Sequence, residues 1–261
     1  MIFENQIETR NHFKSKFESL LRGEPALRNV IYDLLVEGAV YIVGGYVRDI
    51  LMGKDNRDVD IVADVSSEKL VQVIKDNHCI YTVNRLGGVK LQFAHTEVDI
   101  WNIHDNWAFR TELVKLNDND KLDCLAKGCF YNYDALVLNL PKFHYNFRYY
   151  NEFLATGVLH TMQKQPIYKN LNPTVEANII RAIYIKKIHN CTYSDDLKDY
   201  LLKKMLELNL VHGNAIERLL EVKQRYPKYS SITVNDIKNI FTQLCQELEP
   251  SLFDEELKKI I

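Results

Sequence analysis

The segment that most constrains the fold is 40–64, which reads VYIVGGYVRDILMGKDNRDVDIVAD. Its first four residues are apolar and rich in β-branched side chains, which predicts a buried strand. Gly44 and Gly45 break that strand, and apolar residues at helical spacing follow as far as Met52. A glycine pair between a strand and a helix N-terminus exposes main-chain N–H groups. The pattern therefore predicts an anion site.

A second strand is predicted over 58–62, where acidic and apolar residues alternate. Strand side chains alternate between faces, so Asp58 and Asp60 share one face while Val59 and Ile61 enter the core. Two carboxylates about 6–7 Å apart on one face, next to an anion site, suit a hard cation such as Mg²⁺. The segment lacks the signatures of a P-loop, a dinucleotide fingerprint and an EF-hand calcium loop.

The string from Gly44 to Gly53, followed by Arg57-Asp58-Val59-Asp60-Ile61, resembles one known family. It is similar to the head domain of class II tRNA CCA-adding enzymes and bacterial poly(A) polymerases, in the DNA polymerase β-like nucleotidyltransferase superfamily. The resemblance implies an α+β fold, with a polymerase β-like head of mixed sheet and helices and an all-helical neck-like domain. We expect the catalytic head over residues 1–150 and the neck-like domain over 151–261.

The resemblance implies that Asp58 and Asp60 are catalytic and bind metal, with a third carboxylate on an adjacent strand. Asp99 matches that third position because it lies between two β-branched residues in a predicted strand. Glu97 would share its face and is the competing candidate; the structural alternative for Asp99 is an edge-strand acid that faces water. The family's chemistry implies two Mg²⁺ ions, with Mn²⁺ as a possible substitute.

The resemblance also implies how the nucleotide is bound. The glycine pair and nearby basic residues would hold the triphosphate, a segment in the middle of the chain would hold the sugar, and a helix further along the chain would hold the base. The middle segment retains only the aspartate of the family's Arg-Arg-Asp-Phe-Thr-Ile-Asn-Ala motif, and the later helix has asparagine in place of its first arginine. These departures predict altered or relaxed base choice. The expected nucleotide-binding residues are Gly44, Gly45, Arg48, Lys54, Arg57, Asp123, Asn178 and Arg181.

Aromatic and basic residues interleave over 141–150. Such a stretch can stack on nucleobases, or its rings can pack between the two domains. We favour the packing interpretation.

Composition places the chain among ordinary globular proteins, with 46% hydrophobic and 26% charged residues and a net charge of −2. No run reaches the about 20 apolar residues of a membrane helix, and the first residues lack the features of a signal peptide. The five cysteines show no Cys-x-x-Cys pair. We therefore expect a cytoplasmic protein without a membrane partner; its oligomeric state stays unknown.

The resemblance implies transfer of NMP from an NTP to an acceptor hydroxyl, with release of pyrophosphate. The closest motifs favour an RNA acceptor, the 3′ end of a tRNA. The alternatives are a protein or small-molecule acceptor, which the missing tRNA-gripping domains favour, and a non-catalytic nucleotide-binding module, which the altered middle motif favours.

Overall fold

A computed structural model gives the structure of the chain and describes residues 6–54, 58–84, 87–163 and 174–247. The chain divides into two compact units, Met1–Asn151 and Glu152–Ile261. The first unit begins with two helices, α1 (Gln6–Gly23) and α2 (Pro25–Glu37). Each buries the apolar stripe that its sequence spacing predicts, which includes Phe13 and Phe17 in α1 and Leu27 and Leu34 in α2.

Among the described residues of the first unit, seven strands form one mixed sheet. Its spatial order is β3-β4-β5-β2-β1-β6-β7. The pair β2–β5 is parallel and the other neighbouring pairs are antiparallel. The strands are β1 (Val40–Val43), β2 (Asp58–Ala63), β3 (Tyr81–Val83), β4 (Val89–Gln92), β5 (Glu97–Asn102), β6 (Val137–Leu140) and β7 (Tyr145–Asn146).

Helices connect these strands where the sequence supplies start and stop signals. Helix α3 (Gly45–Leu51) begins at the second glycine of the pair, and α4 (Ser67–Asp76) follows β2. The hydroxyl of Ser66 accepts a hydrogen bond from the Lys69 N–H and so caps α4. The remaining helices that begin in this unit are α5 (Trp107–Arg110), α6 (Lys121–Lys127) and α7 (Arg148–Thr156), the last of which includes residues of both units.

The aromatic rings of 141–150 pack inside the first unit. Phe143 lies edge-on to Phe17 with ring centroids 6.2 Å apart, and Phe147 lies edge-on to Phe13 at 5.6 Å. Tyr145 stacks on Phe147 with centroids 4.4 Å apart. These three rings therefore pack within the first unit, whereas the interpretation that we favoured placed them between the two domains.

The second unit is mostly helical, as predicted, although it also holds two short parallel strands, β8 (Val158–Leu159) and β9 (Thr192–Tyr193). Two of its helices have side-chain caps at their N-termini. The Ser194 side chain accepts a hydrogen bond from the Leu197 N–H, and the Asn214 side chain accepts one from the Ile216 N–H. Among the described residues, no helix is both long enough and apolar enough to span a membrane. The helices that begin in the second unit are α8 (Val175–His189), α9 (Asp195–His212), α10 (Ala215–Lys223) and α11 (Val234–Glu247).

Candidate active site

The acidic residues of β2 and β5 lie on one face of the sheet. The parallel register sets Asp58 beside Glu97 and Asp60 beside Asp99. Residues paired in this way project from the same face, about 4.8 Å apart from strand to strand. The intervening residues, such as Val59 and Val98, are buried on the other face. We call Asp58, Asp60, Glu97 and Asp99 the acidic face.

The electrostatics of Asp99 show that these groups affect one another. Partial burial raises the pKa of its carboxyl, and the negative charges of Glu97 and Asp58 raise that pKa further, while Lys90 opposes them. The carboxylates of Glu97 and Asp58 therefore lie close enough to Asp99 for their charges to affect it.

Glu97, the competing candidate, already has a partner. Its Oε2 lies 2.6 Å from the ammonium of Lys90, which projects from β4 beside Asp99. The ion pair occupies Glu97 and leaves Asp99 as the carboxylate in line with Asp60. The choice of Asp99 over Glu97 as the third carboxylate stays a prediction.

The donor set of the acidic face fits a hard divalent cation, since it offers carboxylate oxygens from adjacent backbones. Among the described residues, no three His, Cys, Asp or Glu side chains are gathered closely enough to form a ready metal cluster. The strand register sets the three aspartates on one face of the sheet, and their side chains would have to turn toward one another to share an ion.

The glycine elbow, Gly44 and Gly45, connects β1 to α3 as predicted. Gly44 has φ 70° and ψ −127°, a conformation that a residue with a Cβ adopts only under strain. Its N–H donates to the Leu136 carbonyl at 2.9 Å, and its carbonyl accepts from the Arg48 N–H at 3.2 Å. The N–H groups of the helical residues before Arg48 come ahead of this first intrahelical hydrogen bond. Such N–H groups at the start of a helix can bind an anion.

Arg48 was predicted to bind phosphate, but the structure surrounds its guanidinium with carboxylates. Nη1 lies 2.6 Å from Asp134 and Nη2 lies 3.1 Å from Asp49, and the group stacks 4.5 Å from the ring centroid of Tyr133. Its side chain is only 14% exposed. Arg48 therefore fastens the elbow to the 3₁₀ turn Asn132–Asp134, and its role in phosphate binding stays a prediction.

Asp123 was predicted to shape the sugar pocket, and it too is engaged. Its carboxylate accepts from the Asn146 amide at 3.1 Å and the Tyr149 hydroxyl at 3.0 Å, and pairs with Lys127 at 2.6 Å. Burial works to raise its pKa, but these partners together outweigh burial, so the pKa lies below the usual range. In this structure Asp123 connects α6 to β7 and to the first turn of α7.

The remaining predicted nucleotide-binding residues are Lys54, Arg57, Asn178 and Arg181. Lys54 is exposed just after α3, and Arg57 lies outside the described residues. Asn178 and Arg181 both belong to α8 of the second unit, where Asn178 is buried. Nearby Glu176 pairs with Arg218 of α10 at 2.9 Å. Their nucleotide-binding role stays a prediction.

Sequence reasoning missed two residues that shape this region, Lys90 and Asp134. A signal for Lys90 was present, because it alternates with the apolar Val89 and Leu91 and so belongs on the polar face of its strand. No local signal marks Asp134, whose partner Arg48 is 86 residues away in the sequence.

A family model described as "Poly A polymerase head domain" matches residues 40–119. No curated protein sequence matches the chain. A solved CCA-adding enzyme in complex with ATP superposes with a TM-score of 0.56 at 18% identity, over 79% of this chain and 47% of that one.

Two further solved structures agree on the fold. A tRNA nucleotidyltransferase with a primer tRNA and an incoming ATP analog has a TM-score of 0.54 at 18% identity, over 81% of this chain and 59% of that one. The Thermotoga maritima CCA-adding enzyme complexed with tRNA has a TM-score of 0.54 at 19% identity, over 79% of this chain and 46% of that one. The chain spans about half the length of these structures.

The matched segment contains the glycine elbow, β2 and β5, which are the elements that carry the acidic face. The structural likeness confirms the predicted fold class, a polymerase β-like head followed by a mainly helical region. Over residues 40–119 the chain is thus similar to the poly A polymerase head domain family.

Proposed function

We propose that the chain is a metal-dependent nucleotidyltransferase that moves NMP from an NTP to an acceptor hydroxyl. The observation that carries this proposal is the register of β2 and β5, which sets Asp60 beside Asp99 on the face that Asp58 shares. It is supported by the family match over the same strands and by solved relatives whose descriptions name ATP and CTP.

In the reaction, the acceptor oxygen forms a bond to the α-phosphorus of the NTP. The bond from that phosphorus to the bridging oxygen of the β-phosphate breaks, and pyrophosphate leaves. Asp58, Asp60 and Asp99 would hold two Mg²⁺ ions, which when bound polarise the phosphate and stabilise the charge of the attacking and leaving oxygens.

The chain's own residues provide position and charge. Asp99 would accept the proton of the attacking hydroxyl. The first turn of α3, which begins at the glycine elbow, would orient the triphosphate through its main-chain N–H groups. In such a site, positioning and electrostatics account for most of the rate enhancement.

For the acceptor we propose an RNA 3′ end, that of a tRNA. Two of the solved relatives are described as complexes with tRNA, although at 18–19% identity this likeness establishes only the fold.

The test incubates the protein with Mg²⁺, each of four labelled NTPs in turn, and either total RNA or a protein extract. Label in RNA that is lost in Asp58→Asn supports the proposal, and label in protein would redirect it to a protein acceptor. Asp76→Asn is the matched control, because Asp76 is an exposed acid on α4. If the folded wild-type protein labels neither extract, the proposed function is wrong.

A further inference from the structure

The acidic face carries four carboxylates, and one ammonium group lies among them. In the described strands β2, β4 and β5, Lys90 is the only basic residue, and it projects beside Asp99. Four like charges on neighbouring strands repel one another, so a resident cation on this face lowers the free energy of the metal-free protein.

Lys90 makes a specific contact rather than a diffuse one. It stands opposite Asp99 in the register, yet its ammonium reaches diagonally to Glu97 at 2.6 Å. The hydrogen bond with Glu97 is the main cause that raises the pKa of Lys90, and the charges of Asp99 and Asp58 add to it against the effect of burial. Glu97 is thereby held on the side of the acidic face that points toward β4.

We propose that Lys90 is a specificity-determining residue: it keeps Glu97 out of the metal ligand set and so gives the site its preference for Mg²⁺ over Ca²⁺. This inference rests on the proposed function. It concerns which carboxylates hold the ions, where the proposed function requires only that ions are held.

The preference follows from coordination chemistry. Mg²⁺ is bound through one or two carboxylates plus water and phosphate oxygens in a tight octahedron, whereas Ca²⁺ accepts six to eight oxygens and gains from each added carboxylate. A fourth carboxylate released from Lys90 therefore helps the larger ion more. A purely electrostatic effect of removing the ammonium would strengthen the binding of both divalent ions equally, because their charges are equal.

The experiment measures Mg²⁺ and Ca²⁺ affinity by calorimetric titration, without nucleotide or acceptor. In Lys90→Met we expect Ca²⁺ to bind about fivefold more tightly or better, with a smaller gain for Mg²⁺. The double variant Lys90→Met with Glu97→Gln is expected to regain the wild-type ratio of the two affinities. Lys90 is exposed on its strand, so the fold should tolerate the change.

Lys69→Met is the matched control. Lys69 forms an ion pair with Glu37, with an N–O distance of 2.8 Å, that is similarly exposed and does not involve the acidic face. Its affinities should equal those of the wild type. Equal gains for both ions in Lys90→Met, or no gain, would overturn the inference while leaving the proposed function intact. A wild-type protein that binds neither ion would overturn both.

Discussion

The acidic face and the surroundings of the glycine elbow both contain charged side chains, but the charges are arranged differently. On the acidic face, the register sets Asp60 beside Asp99, and the negative charges of Glu97 and Asp58 help to raise the pKa of Asp99. Beside the elbow, the charge of Arg48 is matched by two carboxylates and an aromatic ring. Repelling charges in an open position suit ligand binding, whereas satisfied charges hold the chain together.

The comparison predicts its largest effect for Asp60→Asn on the acidic face. Removing one carboxylate that holds metal should lower the rate of nucleotide transfer by about 10²–10³-fold, the usual loss when a transition-state contact is removed. The unfolding midpoint in denaturant should not fall. A variant that keeps near wild-type transfer would remove Asp60 from the site, and Asp76→Asn again serves as the control.

The next largest effect is expected for Arg48→Met beside the elbow. Because Asp134 and Asp49 would be left largely buried without their cation, the free energy of unfolding should fall by about 3 kcal/mol. Chemical denaturation measures this change. Arg225→Met, which breaks an ion pair whose arginine is 63% exposed, should change stability by about 0.5 kcal/mol or less.

Unchanged stability of Arg48→Met together with weaker NTP binding would contradict the contrast. It would return Arg48 to the phosphate-binding role that the sequence predicted.

A smaller loss is expected for Asp123→Asn, about 1–2 kcal/mol at neutral pH, since charged hydrogen bonds are lost. The pKa of Asp123 is lowered in the folded protein, so its stabilisation exists above the unfolded-state pKa and disappears as pH falls through the folded-state pKa. Wild type and variant should therefore converge in acid. Urea denaturation at a series of pH values tests this, and a gap that persists in acid would show that the partners serve another purpose.

The smallest effect is a gain, for Asp99→Asn without metal. The raised pKa of Asp99 means that its ionised form is disfavoured in the folded state at neutral pH. Asparagine removes that cost, and unfolding should require about 0.5 kcal/mol more. The gain should vanish as pH falls and the wild-type group becomes protonated. Thermal unfolding with EDTA measures it; a loss of stability would mean that the charge of Asp99 has a favourable partner.

The residues of the acidic face could be predicted because strand alternation is a local property. Asp58 and Asp60 flank Val59, and Asp99 lies between Val98 and Ile100, so their faces follow from the sequence alone. That β2 and β5 are neighbours does not follow from local pattern, since 33 residues lie between them from 64 to 96. The resemblance to a known family supplied that step.

The engaged state of Arg48 and Asp123 could not be predicted, because their partners are distant in sequence. Asp134 lies 86 residues from Arg48, and Asn146 and Tyr149 lie 23 and 26 residues from Asp123. A motif fixes the type of residue, but burial and partners decide whether its charge is available. For the same reason the buried position of Asn178 could not be foreseen.

The pairing of β2 and β5 also makes a one-residue insertion or deletion in β5 costly to stability as well as to the site. Losing one residue just before Asp99 would slide β5 by a single step, exchanging Asp99 for Val98 or Ile100 at the surface. The displaced carboxylate would then enter the hydrophobic interior, at a cost of several kcal/mol. A one-residue shift of register in this strand would therefore unfold the protein as well as inactivate it. Selection for stability alone would preserve the spacing that catalysis needs.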